Sequence, residues 1–316
     1  MTSGFYVAKS EFTGRRQLAW WRRPLGGLHR REVSLRLSIL VPAVLYYLLL
    51  RYYPVLQTLA LSLTDAELLK PDYAYVGTKN FTLLFGDAVF VRVLRNTLYY
   101  AFATTFATTI IALALSFVLN PIPRGNELLR LLFYLPMVSS AIAVATIWLW
   151  LYQARFGLIN AVLRAVGLGP VPWLTSPRWA LPSLIIMGIW GGVGYSAIIF
   201  VAGLRGIPAE LREAARIDGA GPISELRYIT LPLLSRVVTF VLVTGMIGNF
   251  QVFQQVYLMT RGGPLDSTRV LALHIYDYAF RRLHIGQAAA MAVVLFVLVA
   301  TLTVVQLRLQ RSEWEF

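Results

Sequence analysis

The chain contains no cysteine. That excludes a disulfide framework, a thiolate nucleophile and any cysteine-held metal. Histidine is nearly missing: His29, His274 and His284 are scattered, and no HExxH-type spacing occurs. There is no GxxxxGK[ST] loop, so if ATP drives this protein, another chain binds the nucleotide. Charge is also scarce, at 14% of 316 residues, against about a quarter in an ordinary soluble domain. The 15 carboxylates avoid every long apolar stretch.

What remains is largely hydrophobic, at 57%. Several apolar runs reach about 20 residues, enough to cross roughly 30 Å of hydrocarbon. The short alternating segments of a membrane β-barrel do not occur. The fold class expected is all-α: a polytopic membrane protein with six transmembrane helices, at about 35–63, 96–119, 131–152, 181–204, 237–258 and 285–307. Residues 1–34 read as a basic cytoplasmic tail, 35–308 as the membrane domain and 309–316 as a cytoplasmic C-terminal tail. The tail is not expected to be a signal peptide, because the apolar run is too long and no small-residue cleavage site follows.

The net charge of +14 does not imply nucleic acid. Eight basic residues gather between Lys9 and Arg36, where they fix topology, and Trp20-Trp21-Arg22-Arg23 suits the interface of an anionic lipid bilayer. With both termini inside, inner segments hold 17 Lys and Arg and outer ones 11. The protein is therefore placed in the cell membrane, multi-pass, with cytoplasmic termini. Arg51 lies near the outer end of the first span, followed by Pro54, which permits a kink. In the third span, Pro136 precedes Ser139 and Ser140, which can satisfy freed backbone groups or face a cavity. The fourth carries Tyr195 and a Gly188/Gly192 GxxxG, the signature of close helix packing. The fifth is the most polar: Asn249, Gln251, Gln254 and Gln255 are neutral amides too costly to face lipid, and the three glutamines share an arc of about 100° on a continuous helix.

Between the fourth and fifth spans lies the most polar long segment, residues 205–235. Pro208 suits a helix start, Glu210 the positive end of its dipole and Gly219 the left-handed position past its end. A helix over 208–218 is expected, then a turn, then a second short helix to about Tyr228. On the first, Ile207, Leu211, Ala214 and Ala215 would share one face, opposite Arg212 and Arg216. A helix this short is marginal alone and needs a surface. That surface is either the chain's own bundle or a partner.

Glu213-Ala214-Ala215, then Gly219, then Ile229-x-Leu231-Pro232 resembles, at full spacing, the EAA signature of ABC importer permeases. Tyr53-Pro54, Gly77 with Asn80-Phe81, Asn96-Thr97, Pro136, Met259 to Pro264 with Ser267-Thr268, and Ile275 to Phe280 with Gly286 resemble the carbohydrate-uptake subfamily, of maltose, trehalose and glycerol-3-phosphate type. The large extra external domain of the maltose importer's larger permease is absent. The resemblance implies a heterodimer with a second homologous permease, two ATPase subunits that hold ATP-Mg, and an extracytoplasmic solute-binding protein. This chain would bind no cofactor or metal and catalyse nothing. Glu213, Ala214, Ala215, Asp218, Gly219, Ala220, Leu211 and Pro232 would couple to an ATPase. Asn249, Gln251, Gln254, Gln255, Tyr195, Ser139 and Ser140 are the expected solute path, suited to the hydroxyls of a sugar or polyol. Glycerol 3-phosphate is the alternative solute. A secondary transporter or a membrane-embedded enzyme would want carboxylates or a histidine site inside the bilayer, and the spans hold none.

Overall fold

The computed structural model describes residues 30–120, 133 and 135–309. Helices dominate. Among the described residues the only extended pairing is an isolated bridge between Thr64 and Tyr75. Among the described residues, five helical segments are long and apolar enough to cross a membrane: Arg36–Leu61, Ala88–Leu119, Ala180–Arg205, Ser235–Met259 and Ile285–Arg308. The remaining expected span is not one continuous helix. Residues 131, 132 and 134 lie outside the described residues, 135–138 are helical, and the backbone opens at Ser139-Ser140 before a helix at Ala141–Leu151. Ser140 has an extended ψ of 130°, and Ser139 Oγ donates back to the Leu135 carbonyl at 2.7 Å. Both features belong to a helix that stops and restarts. Residues 1–29, 121–130 and 310–316 also lie outside the described residues.

The chain forms two compact units, Met1–Val55 and Leu56–Phe316. In the first, helix α1 (Arg30–Tyr47) runs into a π-helical turn, Leu48–Tyr52, which contains Arg51. Helix α2 (Tyr53–Leu61) follows with Pro54 in its first turn. A wider turn directly before a proline relieves the clash of its ring with the preceding turn.

The second unit is built around α4 (Ala88–Leu119) and α7 (Ala180–Arg205), with α3 (Lys79–Gly86) leading into α4 and α5 (Ala141–Leu151) and α6 (Leu158–Ala165) between α4 and α7 in sequence. Asp87 caps α4, its carboxylate accepting from Val89 N at 2.8 Å. Glycines explain how close α4 and α7 approach. A Cβ on Gly188 would lie 2.5 Å from the Tyr100 hydroxyl, and one on Gly192 would lie 3.2 Å from Thr108 Cγ2. Tyr100, Leu184, Met187 and Leu273 share one buried cluster, and Ala112, Phe200 and Val241 share another.

The connections at the α4 and α7 starts are fastened by buried asparagines. Asn80 Nδ2 donates to the Ser62 and Thr64 carbonyls, and Asn96 Nδ2 to those of Asp266 and Arg269. Asn160 donates to Ala154 O and Val171 O and accepts from Val171 N and Trp173 Nε1. The segment between the first two expected spans thus contains a helix, α3, and the isolated Thr64–Tyr75 bridge.

Candidate functional site

At the far end of α7 the chain leaves the bundle. Pro208 is the N-cap residue of α8 (Ala209–Ile217), and Asp218 ends it. Gly219 has φ +81°; its N–H donates to Arg216 O, and Ala220 N–H to Ala215 O. This pair of bonds satisfies the last carbonyls of α8 and requires a left-handed residue, which only glycine adopts freely. Next come α9 (Pro222–Glu225), a π-helical turn at Leu226–Thr230 and α10 (Leu231–Leu233), so the helical backbone continues past the expected end near Tyr228 to Leu233, with a wider turn in its middle. Arg216 Nε pairs with Glu225 at 3.2 Å and ties the two short helices together.

The apolar face expected on α8 divides. Ile207 lies before the helix begins, not on its wheel, and is buried, as is Ala215. Leu211 and Ala214 point away from the bundle, and Ile217 is 87% exposed, Ile223 81% and Tyr228 70%. Glu213 and Asp218 are exposed, form no ion pair among the described residues, and flank this apolar patch. Ala220 is half-buried and Pro232 is exposed where the chain re-enters the bundle.

The expected solute-path residues do not form one row. The fifth span ends its first segment, α11, at Phe250 (Ser235–Phe250), and α12 (Gln254–Met259) begins after a three-residue break. The break overturns the continuous arc of glutamines. Gln251 and Gln254 are exposed. Asn249 Nδ2 donates to Thr105 Oγ1 at 2.8 Å, and Gln255 Nε2 to the Tyr100 hydroxyl at 2.6 Å. Two of the four amides thus tie α11 and α12 to α4.

Two cavities take in Tyr195 and Ser139. One of about 200 Å³ between α4, α7 and α11 is lined by Thr105, Thr108, Gly192, Tyr195, Ser196 and Asn249. Thr108 Oγ1 is buried there with no hydrogen-bond partner among the described residues. A second, of about 290 Å³, is lined by Pro136, Ser139, Met187, Trp190 and Gln255. Ser140, at the α5 N-cap, lines neither. An aromatic face beside an amide and a hydroxyl is a surface for a ring with both C–H and O–H groups. Trp190 was not among the expected site residues; its place four residues before Gly194 and beside Gly191 reads as packing until the break at Ser139 opens a space next to it. Thr105 and Thr108 likewise read as packing residues.

A helical membrane bundle with internal polar cavities and an exposed two-helix loop at one end is the architecture of a transport subunit. The sequence profile of the family described as binding-protein-dependent transport system inner membrane component matches residues 110–314. The chain belongs to that family. It is 34% identical to the lactose transport system permease protein LacF of Rhizobium radiobacter, over 84% of this chain and 90% of that protein. It is 32% identical to the sulfoquinovosyl glycerol transport system permease protein SmoG of Agrobacterium fabrum, over 94% and 96%. The corresponding values for the trehalose/maltose transport system permease protein MalF of Thermococcus litoralis are 30%, 90% and 96%. The fold is also that of a chain from a bacterial ABC transporter involved in the import of the acidic polysaccharide alginate, with a TM-score of 0.78 at 23% identity, covering 90% of this chain and 98% of that one. The protein is thus an ABC importer permease, a transport component embedded in the membrane.

Proposed function

We propose that this permease forms, with a second homologous permease, the path for a sugar, and that separate ATPase subunits drive it by gripping residues 205–235. In this reading those residues face the cytoplasm with both termini, ATP-Mg stays on the ATPases, and a binding protein delivers solute from the opposite side. The observation that carries it is the loop surface: Leu211, Ile217, Ile223 and Tyr228 are exposed in the same loop as Glu213, which is exposed and forms no ion pair among the described residues. Such a patch, an apolar centre with a carboxylate at its edge, wants a partner with a groove and a cation. α8 meets the partner, and the Gly219 turn with the Arg216–Glu225 pair passes its displacement to α9 and on to the fifth span. The sugar is supported by the relatives' transport of lactose and trehalose/maltose and by the Trp190, Gln255 and Ser139 cavity. Co-purification of the tagged chain with co-expressed ATPase subunits tests the coupling. Glu213→Lys is expected to abolish ATPase retention and ATP-driven sugar uptake while leaving membrane insertion intact; full retention by the variant would overturn the assignment.

A further inference from the structure

At the end of the bundle opposite the coupling loop, a pocket of about 690 Å³ opens between the starts of α4 and α7 and the 261–267 segment. Arg92, Arg95 and Arg178 line it, with Asn96, Tyr99 and Ser267. Among the described residues no carboxylate does. The acids nearby are committed elsewhere: Asp266 holds Arg269 at 2.8 Å, and Asp277 holds both Arg269 and Arg281. The three lining arginines form no ion pair among the described residues. Arg92 Nη1 donates to the Leu265 carbonyl at 3.3 Å, and the Arg178 guanidinium stands 6.0 Å from the centre of the Trp179 ring. Arg92 and Arg95 are one turn apart on the same face of α4, an arrangement that is unfavourable without a counter-charge.

The wall is preformed. Leu265 and Asp266 take left-handed backbone angles, φ 51° and 59°, and Asn96 clamps this segment through the carbonyls of Asp266 and Arg269. Ser267 Oγ is buried in that wall with no hydrogen-bond partner among the described residues. Guanidinium forks match the paired oxygens of a carboxylate, phosphate or sulfonate. A concave site of this size suits a small molecule better than a flat protein face.

We propose that this pocket is an oxyanion-binding mouth, and that the solute the permease passes is a carbohydrate bearing a carboxylate, phosphate or sulfonate group. The inference rests on the sugar-permease reading above and specifies its solute. Arg92, Arg95 and Arg178 capture the anionic group on the outer side, Ser267 adds a neutral donor, and the sugar ring then meets the cavities deeper along α4 and α7.

The test uses the full chain in discs of zwitterionic lipid, with Trp179 fluorescence as the readout beside Arg178. The probes are cellobiose and its uronic acid, cellobiouronate. The acid is expected to give a saturable change and cellobiose none at the same concentration. Arg92→Gln and Arg178→Gln are each expected to weaken the acid about tenfold, since a hydrogen bond to a charged group is worth about 1.4 kcal/mol or more. Equal responses to the two probes, or variants that bind the acid unchanged, would overturn the proposal. So would loss of the acid response when phosphatidylglycerol is added to the discs, which would make a lipid headgroup the occupant. In the assembled transporter, an equal fall in neutral and acidic sugar uptake on Arg92→Gln would assign the arginines to a docked protein. ATP-driven uptake of neutral sugars alone would leave the carbohydrate reading standing and remove this one.

Discussion

His274 is 1% exposed, and neither ring nitrogen has a hydrogen-bond partner among the described residues. Burial, with Arg269 and Arg282 beside it, pushes its pKa down to about 4 against the opposing pull of Asp87 and Asp277. The Tyr278 ring packs at 4.8 Å. The folded state therefore holds a neutral ring where an unfolded chain would take a proton below about pH 6.5. Stability from this group is complete above that pH and drains away as pH falls toward 4, by up to about 3 kcal/mol. Thermal unfolding followed between pH 7.5 and 4.5 should show the loss, and His274→Leu should flatten it. Because the ring makes no hydrogen bond, the leucine variant is expected to match or exceed the parent's melting temperature at neutral pH. Nothing in the sequence marked this histidine, since burial and two neighbouring cations are tertiary facts. Glu213 is the opposite case: its exposure follows from the local pattern, because a polar segment between apolar runs has nowhere else to lie. Asn249 and Gln255 were legible as groups too costly for lipid. Their partners, Thr105 and Tyr100, stand about 150 residues away in sequence and could not be named from periodicity.

Among elements, helix positions followed from apolar length and were largely readable, because a bilayer allows few other backbones. Interruptions were not. Pro136 announced the break in the third span, yet the opening falls at Ser139-Ser140, one turn later. No proline announced the break at Gln251 to Phe253. The Gly188/Gly192 spacing did foretell a close contact, and α4 is the partner. Gly188→Ala is expected to force apart Tyr100 and Thr104 and to destabilise by about 1–3 kcal/mol. Gly191→Ala, where a Cβ meets nothing within 4 Å, should be neutral or slightly stabilising. Melting temperatures of the two variants compared with the parent decide it. At Gly219 the penalty has a different origin. A Cβ there also meets nothing within 4 Å, but φ is +81°. Gly219→Val should therefore leave the bundle intact, fray the end of α8 and lower ATPase coupling, whereas Gly219→Asn should be far milder. Coupled ATPase rates in reconstituted complexes separate the two.

For the molecule as a whole, the α8 patch and the chain's polar cavities call for other chains. Reconstituted with ATPase subunits and a binding protein but no second permease, this chain is expected to give no ATP-dependent sugar uptake; uptake above background would show that one kind of permease suffices. The fold class was legible from composition, and the family from one spacing of small and charged residues. The arginine pocket was not, since Arg92, Arg95 and Arg178 lie in two segments separated by more than eighty residues. The interrupted fifth span carries a further demand. Backbone that leaves its helix at membrane depth survives only inside protein or against water. At the break itself Val252 is buried and Phe253 half-buried in a hydrophobic cluster while Gln251 is exposed, so packed protein is all that separates the opened backbone from a leak of protons and small ions. Resting permeability is then a property of the packed layers on either side of the break, and it sets how tightly the idle transporter must seal.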